Sequence, residues 1–292
     1  MSVLQAIFLG IVQGLTEFLP VSSSGHLAIV QNVFHIDTGN SVLFDVMLHI
    51  GTLAVVFLVY WKDIAKLIVE FVKMIGDLFV NMRIFFSRSA GGGEVKYRRI
   101  VRTNYRKFVV LIIVSTIPTG IMGYLGSKLI TDASGTLIVP GICLLITAVL
   151  LLLSDRKKNC WKIPKDVSYG EGVAIGIAQG FATLPGLSRS GSTIAACTFC
   201  GFDRKFAVKY SFILSIPAIL GAAVLELKDI SSEAVTGSVV GTYAAGMIAA
   251  AIVGYVAIRS MLKIVQNKKM KYFAWYCIAV GVFAIIGQFI FM

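Results

Sequence analysis

The sequence predicts an all-α polytopic membrane protein: an inverted-topology repeat with two re-entrant helical hairpins and about six transmembrane helices. Three observations carry this. Of the 292 residues 57% are hydrophobic and only 14% charged, against about 25% charged in an ordinary soluble domain. Six continuous apolar runs approach the ~20 residues that cross a bilayer. A polar, glycine-rich segment occurs twice at a constant spacing.

The six runs are Val42–Tyr60, Phe108–Leu129, Leu137–Leu153, Tyr210–Leu227, Val239–Ile258 and Tyr272–Phe291. They are continuous rather than alternating, which excludes a β-barrel pattern. The formal net charge is +12, but its distribution excludes a nucleic-acid partner. Eleven Lys/Arg lie in 61–107, five in 154–169, three in 201–209 and five in 259–271. Basic residues gathered in alternate loops are the positive-inside signature, so these four clusters are assigned to the cytoplasm. Lys128 and Lys228 then fall in outer loops, and Arg189 stands alone at membrane depth.

That topology leaves two segments, about 1–40 and about 168–203, which each begin and end on one side. They are related. Gly10-Ile-Val-Gln-Gly14 matches Gly176-Ile-Ala-Gln-Gly180 at an offset of 166. The same offset pairs Ser22 with Ser188, Ser24 with Ser190 and Gly25 with Gly191, and later Lys62-Asp63-Ile64 with Lys228-Asp229-Ile230. A constant offset that keeps rare polar residues in register indicates duplication. The charge pattern puts Lys62 inside and Lys228 outside, so the copies are antiparallel. Such proteins place their site near the midplane at broken helices. The expected organisation is one membrane domain, with repeat one about 1–130 and repeat two about 137–292. Each contributes a re-entrant hairpin, 1–40 and 168–203.

The remaining features are read as structural. Residues 61–107 form a cytoplasmic loop, expected as an amphipathic helix on the membrane surface with apolar Ile64, Leu67, Ile68 and Phe71 between basic positions, then a turn at Ser89–Gly93. The five cysteines, including Cys197-x-x-Cys200 in an apolar stretch, are read as core residues rather than a zinc site. The N-terminus lacks a basic region and a cleavage pattern, so it is taken as mature protein.

The chemistry lies in the two polar motifs. The first is Gln13-Gly-Leu-Thr-Glu17-Phe-Leu-Pro20-Val-Ser22-Ser23-Ser24-Gly25-His26. The second is Pro185-Gly186-Leu-Ser188-Arg189-Ser190-Gly191-Ser192-Thr193. Gln13 and Glu17 share a helix face. Pro20 and Pro185-Gly186 break their helices, and the serines that follow can cap new ones. Helix starts bind phosphate through free N–H groups and the dipole. Ionisable groups at membrane depth are costly and point to function, which selects Glu17, His26 and Arg189. A structural ion pair between Glu17 and Arg189, and close packing by the serines and glycines, are the competing explanations. Together the set fits a pyrophosphate site. Arg189 offers a fork for phosphate oxygens. Ser22, Ser24, Gly25, Ser188, Ser190, Gly191 and Thr193 supply hydroxyls and amides. Glu17, with Gln13 helping, either holds a divalent cation or acts as a base. Asp45 and His49, at i and i+4 on the inward-running helix, are expected to make a polar contact between helices, with contact to the site as the alternative.

At these motifs the chain resembles the undecaprenyl pyrophosphate phosphatase family of the BacA/UppP type, linked to bacitracin resistance. The family's (E/Q)-x-x-x-E motif reads Gln13 to Glu17 here, and its P-G-x-S-R-S-x-x-T motif reads Pro185 to Thr193. The resemblance implies hydrolysis of a C55 polyprenyl pyrophosphate to recycle the carrier lipid for cell-wall synthesis. It implies dependence on Mg2+ or Ca2+, a bacterial plasma-membrane location, a site reached from the extracytoplasmic face, and a homodimer. It assigns Glu17 as essential carboxylate, Ser23 as nucleophile (with water as the alternative), His26 as general acid/base and Arg189 as phosphate clamp. Gln13 stands where many members carry Glu, which leaves Glu17 most of any metal-binding work. An inverted-repeat transporter or flippase for polyprenyl phosphate is the alternative function.

Overall fold

The computed structural model describes residues 1–38, 41–89, 96–127, 136–226, 237–267 and 269–291. Lys128, Lys228-Asp229-Ile230 and residues 90–93 of the expected turn lie outside them. The described chain is helical: α1 Val3–Phe18, α2 Ser23–Val33, α3 Ser41–Ser89, α4 Asn104–Leu125, α5 Ile138–Arg156, α6 Tyr169–Phe181, α7 Arg189–Phe199, α8 Arg204–Glu226, α9 Gly237–Gln266 and α10 Lys271–Phe291. Six are long and apolar enough to cross a membrane, namely α3, α4, α5, α8, α9 and α10. Their positions agree with the six runs. The boundary of the first does not: α3 continues to Ser89 with only Tyr60 leaving helical geometry, at φ −108° and ψ 18°. The segment expected as a separate loop helix is the continuation of a membrane helix through a kink.

The four shorter helices form two pairs. Ser2 caps α1 in a capping box with Gln5, and Ser168 caps α6 in a capping box with Glu171. Each box satisfies the first-turn N–H groups that a helix leaves open. Both capping pairs stand 166 residues apart, like the motifs they precede. Pro20 and Pro185 lie in the breaks, and α2 and α7 restart on Ser22 and Ser188, whose hydroxyls accept from Gly25 N–H at 3.3 Å and Gly191 N–H at 3.0 Å.

Packing is set by small residues, because lipid tails are as apolar as leucine and helices associate by close contact instead. The most extensive pairing is α1 on α9, and α6 packs in the same way on α4. A Cβ on Gly10 would stand 2.2 Å from the carbonyl oxygen of Gly246, and one on Gly176 would stand 2.1 Å from that of Ser115. Hydroxyls reinforce the second pair: Ser115 Oγ donates to Gly172 O at 2.6 Å and Thr119 Oγ1 to Gly176 O at 2.8 Å. Each short pair therefore leans on a long helix from the other half of the chain. Gly10 and Gly176 are 166 positions apart, whereas their contacts Ser115 and Gly246 are 131 apart. The extra residues fall between Gly10 and Ser115, where α3 runs on past Tyr60.

Candidate active site

The breaks between α1 and α2 and between α6 and α7 meet. A Cβ on Gly25 would lie 2.9 Å from Gly186 Cα, and Gly186, at φ +88°, sits so close to Pro140 that a Cβ would reach its carbonyl oxygen at 2.4 Å. Only glycine tolerates that backbone and that approach. Ser24 Oγ accepts from Gly186 N–H at 3.4 Å, and Ser190 Oγ donates to Leu19 O at 3.2 Å. Ser22 holds φ at 70°, a conformation that side chains other than glycine seldom adopt and that is retained where surroundings enforce it.

This meeting places Glu17, on the last turn of α1, against the first residues of α2 and α7. Arg189 donates through Nη2 to Glu17 Oε1. Ser23 Oγ donates to Glu17 Oε2 at 2.6 Å, and Gln13 Nε2 donates to the same oxygen at 3.0 Å. The carboxylate is nearly sealed, at 4% side-chain exposure, while Arg189 remains 23% exposed. One face of the pair thus opens to a ligand. Beside it runs a small cleft walled by Thr52, Val56, Ser211, Phe212, Ser215 and Ile219. Its apolar side chains continue from the polar centre.

His49 also belongs to this centre. Its Nδ1 lies 3.1 Å from Gln13 Nε2 and 3.7 Å from Glu17 Oε2. The polar contact expected between helices is present for His49, running from α3 to α1, and it reaches the carboxylate. The i, i+4 spacing of Asp45 and His49 was the available signal, but no sequence rule says which face of α3 turns to α1. The second missed residue is Tyr276. Its hydroxyl is 2.8 Å from His26 Nε2, and the two rings stack at 5.5 Å and 7°. His26 Nδ1 stands 2.7 Å from Ser22 O, so that nitrogen is the donor. His26 is buried, and both its nitrogens are engaged away from Glu17.

The remaining residues divide. Ser22, Ser24, Gly25, Ser188, Ser190 and Gly191 line the two breaks. Thr193 does not face them: its hydroxyl donates to Arg189 O at 2.8 Å and lies 2.6 Å from Ser211 Oγ, buried in the packing against α8. Among the described residues no three His, Cys, Asp or Glu side chains gather as a metal cluster. A hard divalent cation takes oxygen ligands and, for Mg2+, few protein groups beside phosphate and water. Glu17 and Gln13 Oε1, which is buried without a hydrogen-bond partner, fit such a minimal set.

A family model described as bacitracin resistance protein BacA matches residues 6–283. The chain belongs to the BacA family. It is 44% identical to the undecaprenyl-diphosphatase of Methanosphaera stadtmanae, over 98% of both chains. It is 40% identical to the undecaprenyl-diphosphatase of Alkaliphilus metalliredigens over 98% of both chains, and 40% identical to that of Treponema denticola over 96% of both chains. With six helices able to span a bilayer, this BacA-family chain is a multi-pass membrane protein.

Proposed function

We propose that the chain hydrolyses undecaprenyl pyrophosphate to undecaprenyl phosphate and inorganic phosphate, and so confers bacitracin resistance. The single observation that carries the reading is the shared carboxylate: Glu17 accepts from Ser23 on one motif and Arg189 on the other. The relatives are undecaprenyl-diphosphatases, which favours hydrolysis over transport.

Arg189 swings from Glu17 to the terminal phosphate, where its fork holds two oxygens. Glu17, so released, takes the proton of Ser23 Oγ. The Ser23 oxygen bonds to the terminal phosphorus as the bond from phosphorus to the bridging oxygen breaks, and polyprenyl phosphate leaves. Water then attacks the phosphoserine, giving inorganic phosphate and restoring Ser23. Helix starts α2 and α7 present amides and the hydroxyls of Ser22, Ser24, Ser188 and Ser190 to the phosphates. Gly25 and Gly191 let the two backbones approach. Thr193 acts from behind, holding the first turn of α7. His26, fixed by Ser22 and Tyr276, handles a proton at its Nε2 once that bond opens. Mg2+ or Ca2+, held by Glu17 and Gln13, would neutralise charge on the pyrophosphate oxygens. The apolar cleft walled by Val56, Phe212 and Ile219 receives the first prenyl units.

We read α1–α2 and α6–α7 as re-entrant hairpins of an inverted repeat. Their matching caps and matching packing on the opposite half support this. The site then opens to the extracytoplasmic face of a plasma membrane, and a homodimer is the assembly expected from the family resemblance. The test is release of inorganic phosphate from a polyprenyl pyrophosphate by purified protein with Mg2+. No release, or full release by Glu17→Ala, would overturn the assignment.

A further inference from the structure

The continuation of α3 past Tyr60 is not part of this site, and its surface is unusual. Residues 61–89 form a helix about 43 Å long at 1.5 Å per residue. Ile64, Leu67 and Met74 turn inward into the hydrophobic core, against which Ile100, Val101 and Tyr105 also pack. Of the four apolar positions expected to face a membrane, two are thus core. The opposite face is apolar as well, and it is exposed: Ile68, Val72, Ile75, Phe79, Met82 and Phe86, with Phe79 and Phe86 each at 64%. Their spacing keeps them on one stripe. Before the kink, Ile50, Phe57 and Leu58 are exposed as well. Exposed apolar side chains therefore occur on both sides of Tyr60.

Charge is sorted across the same helix. Its three carboxylates all face the protein. Asp63 accepts from Lys209 at 2.9 Å and from Tyr105 at 3.0 Å. Glu70 accepts from Arg106 Nε at 2.7 Å and, through its other oxygen, from Lys73 Nζ at 3.3 Å. Asp77 accepts from Arg102 at 2.7 Å and Arg106 at 2.6 Å, and Asn81 clamps the backbone of Arg98 from both sides. The exposed ionic side chains along 61–89 are Lys62, Lys66, Lys73, Arg83 and Arg88. An apolar stripe flanked by cations, with no outward carboxylate, is the composition that binds an anionic bilayer surface. Trp61, exposed just past Tyr60, is the residue type found at the membrane–water boundary.

We propose that residues 61–89 lie on the bilayer, with this stripe in the headgroup–acyl boundary and the flanking cations on anionic lipid headgroups. The described 98–106 segment is the strut that holds the helix there from its other side. A second copy of the chain is the competing occupant, because the stripe also repeats in steps of three and four. It fits less well. Phe71 and Leu78 widen the face beyond a two-helix seam, and the flanking Lys62 and Arg83 would meet no opposite charge on a partner.

The test uses full-length protein in nanodiscs of phosphatidylcholine, with or without phosphatidylglycerol. Nitroxides are attached at Ile68→Cys, Val72→Cys, Phe79→Cys and Phe86→Cys, and at Lys73→Cys and Arg83→Cys. Oxygen access should exceed nickel-chelate access at the first four, the reverse should hold at the last two, and the contrast should grow with phosphatidylglycerol. Lys66→Glu, Lys73→Glu and Arg83→Glu should each weaken docking about fivefold. Hydrogen exchange over 61–89 in unmodified protein should slow with phosphatidylglycerol, which guards against damage by the labels. Equal nickel access on both faces, or exchange that ignores lipid charge, would overturn the proposal. Dipolar broadening between labels at 72 and 79 of two copies would overturn it in favour of the dimer seam.

Discussion

Ser23 and Arg189 occupy the same position in two copies of one motif and bond the two oxygens of a single carboxylate, Glu17. They stand 166 residues apart, each the first residue of a helix capped by the preceding serine. The same offset takes Glu17 to Thr183, just past the end of α6, whose hydroxyl donates to Gly180 O in the last turn of that helix at 2.7 Å. One site thus draws its acid from the first copy and its clamp from the second, while the second copy's equivalent of the acid is structural.

Removing either member of the Glu17–Arg189 pair should affect different quantities. Arg189→Ala should lower kcat/KM about 10²- to 10³-fold, as loss of a preorganised charge stabiliser does. Glu17→Gln should lower kcat at least as much, with a smaller change in KM. Steady-state phosphate release over a range of substrate concentrations checks both.

Ser23→Ala should abolish turnover and any phospho-enzyme. Ser188→Ala, which removes the cap on α7, should cost about 1 kcal/mol of stability and slow phospho-enzyme formation without abolishing it. Rapid acid quench with labelled substrate, followed by thermal unfolding, separates the two. Turnover retained by Ser23→Ala would make water the nucleophile.

Tyr276→Phe removes the hydroxyl that meets His26 while keeping the stacked ring. We expect a modest drop in kcat with unchanged KM, and a much larger drop for His26→Ala. Equal activity of Tyr276→Phe and wild type across pH would show that the contact only supports the fold.

Gln13→Glu should place a second carboxylate beside Glu17. The Mg2+ concentration giving half-maximal activity should fall, and calorimetry without substrate should show tighter cation binding. Unchanged binding would remove Gln13 from the metal set.

Glycines should separate cleanly by what surrounds them. Gly10→Ala and Gly176→Ala drive a Cβ into backbone oxygen and should reduce folded yield sharply. Gly120→Ala meets nothing within 4 Å and should raise stability by up to about 1 kcal/mol. Thermal melting in detergent reads both.

Much of the architecture was legible without coordinates, since six spans, two proline breaks and the paired motifs are linear features. Hydrophobic run length fixes how many helices cross, and a proline fixes where a helix stops, because both act locally along the chain. The likeness of Gly10-to-Gly14 and Gly176-to-Gly180 could be read for the same reason. Tertiary structure decided what those signals leave open. That Glu17 meets Arg189, that His49 turns to Gln13 and Glu17 on α1, and that Thr193 faces α8 all depend on how helices rotate about their axes. Small-residue contacts such as Gly10 on Gly246 set that rotation, and their partners are far apart in sequence. The 61–89 helix shows the same division. Its amphipathic composition was evident, but with apolar residues on both faces only packing against 98–106 could show that Ile64 and Leu67 are core and Val72 and Phe79 are surface.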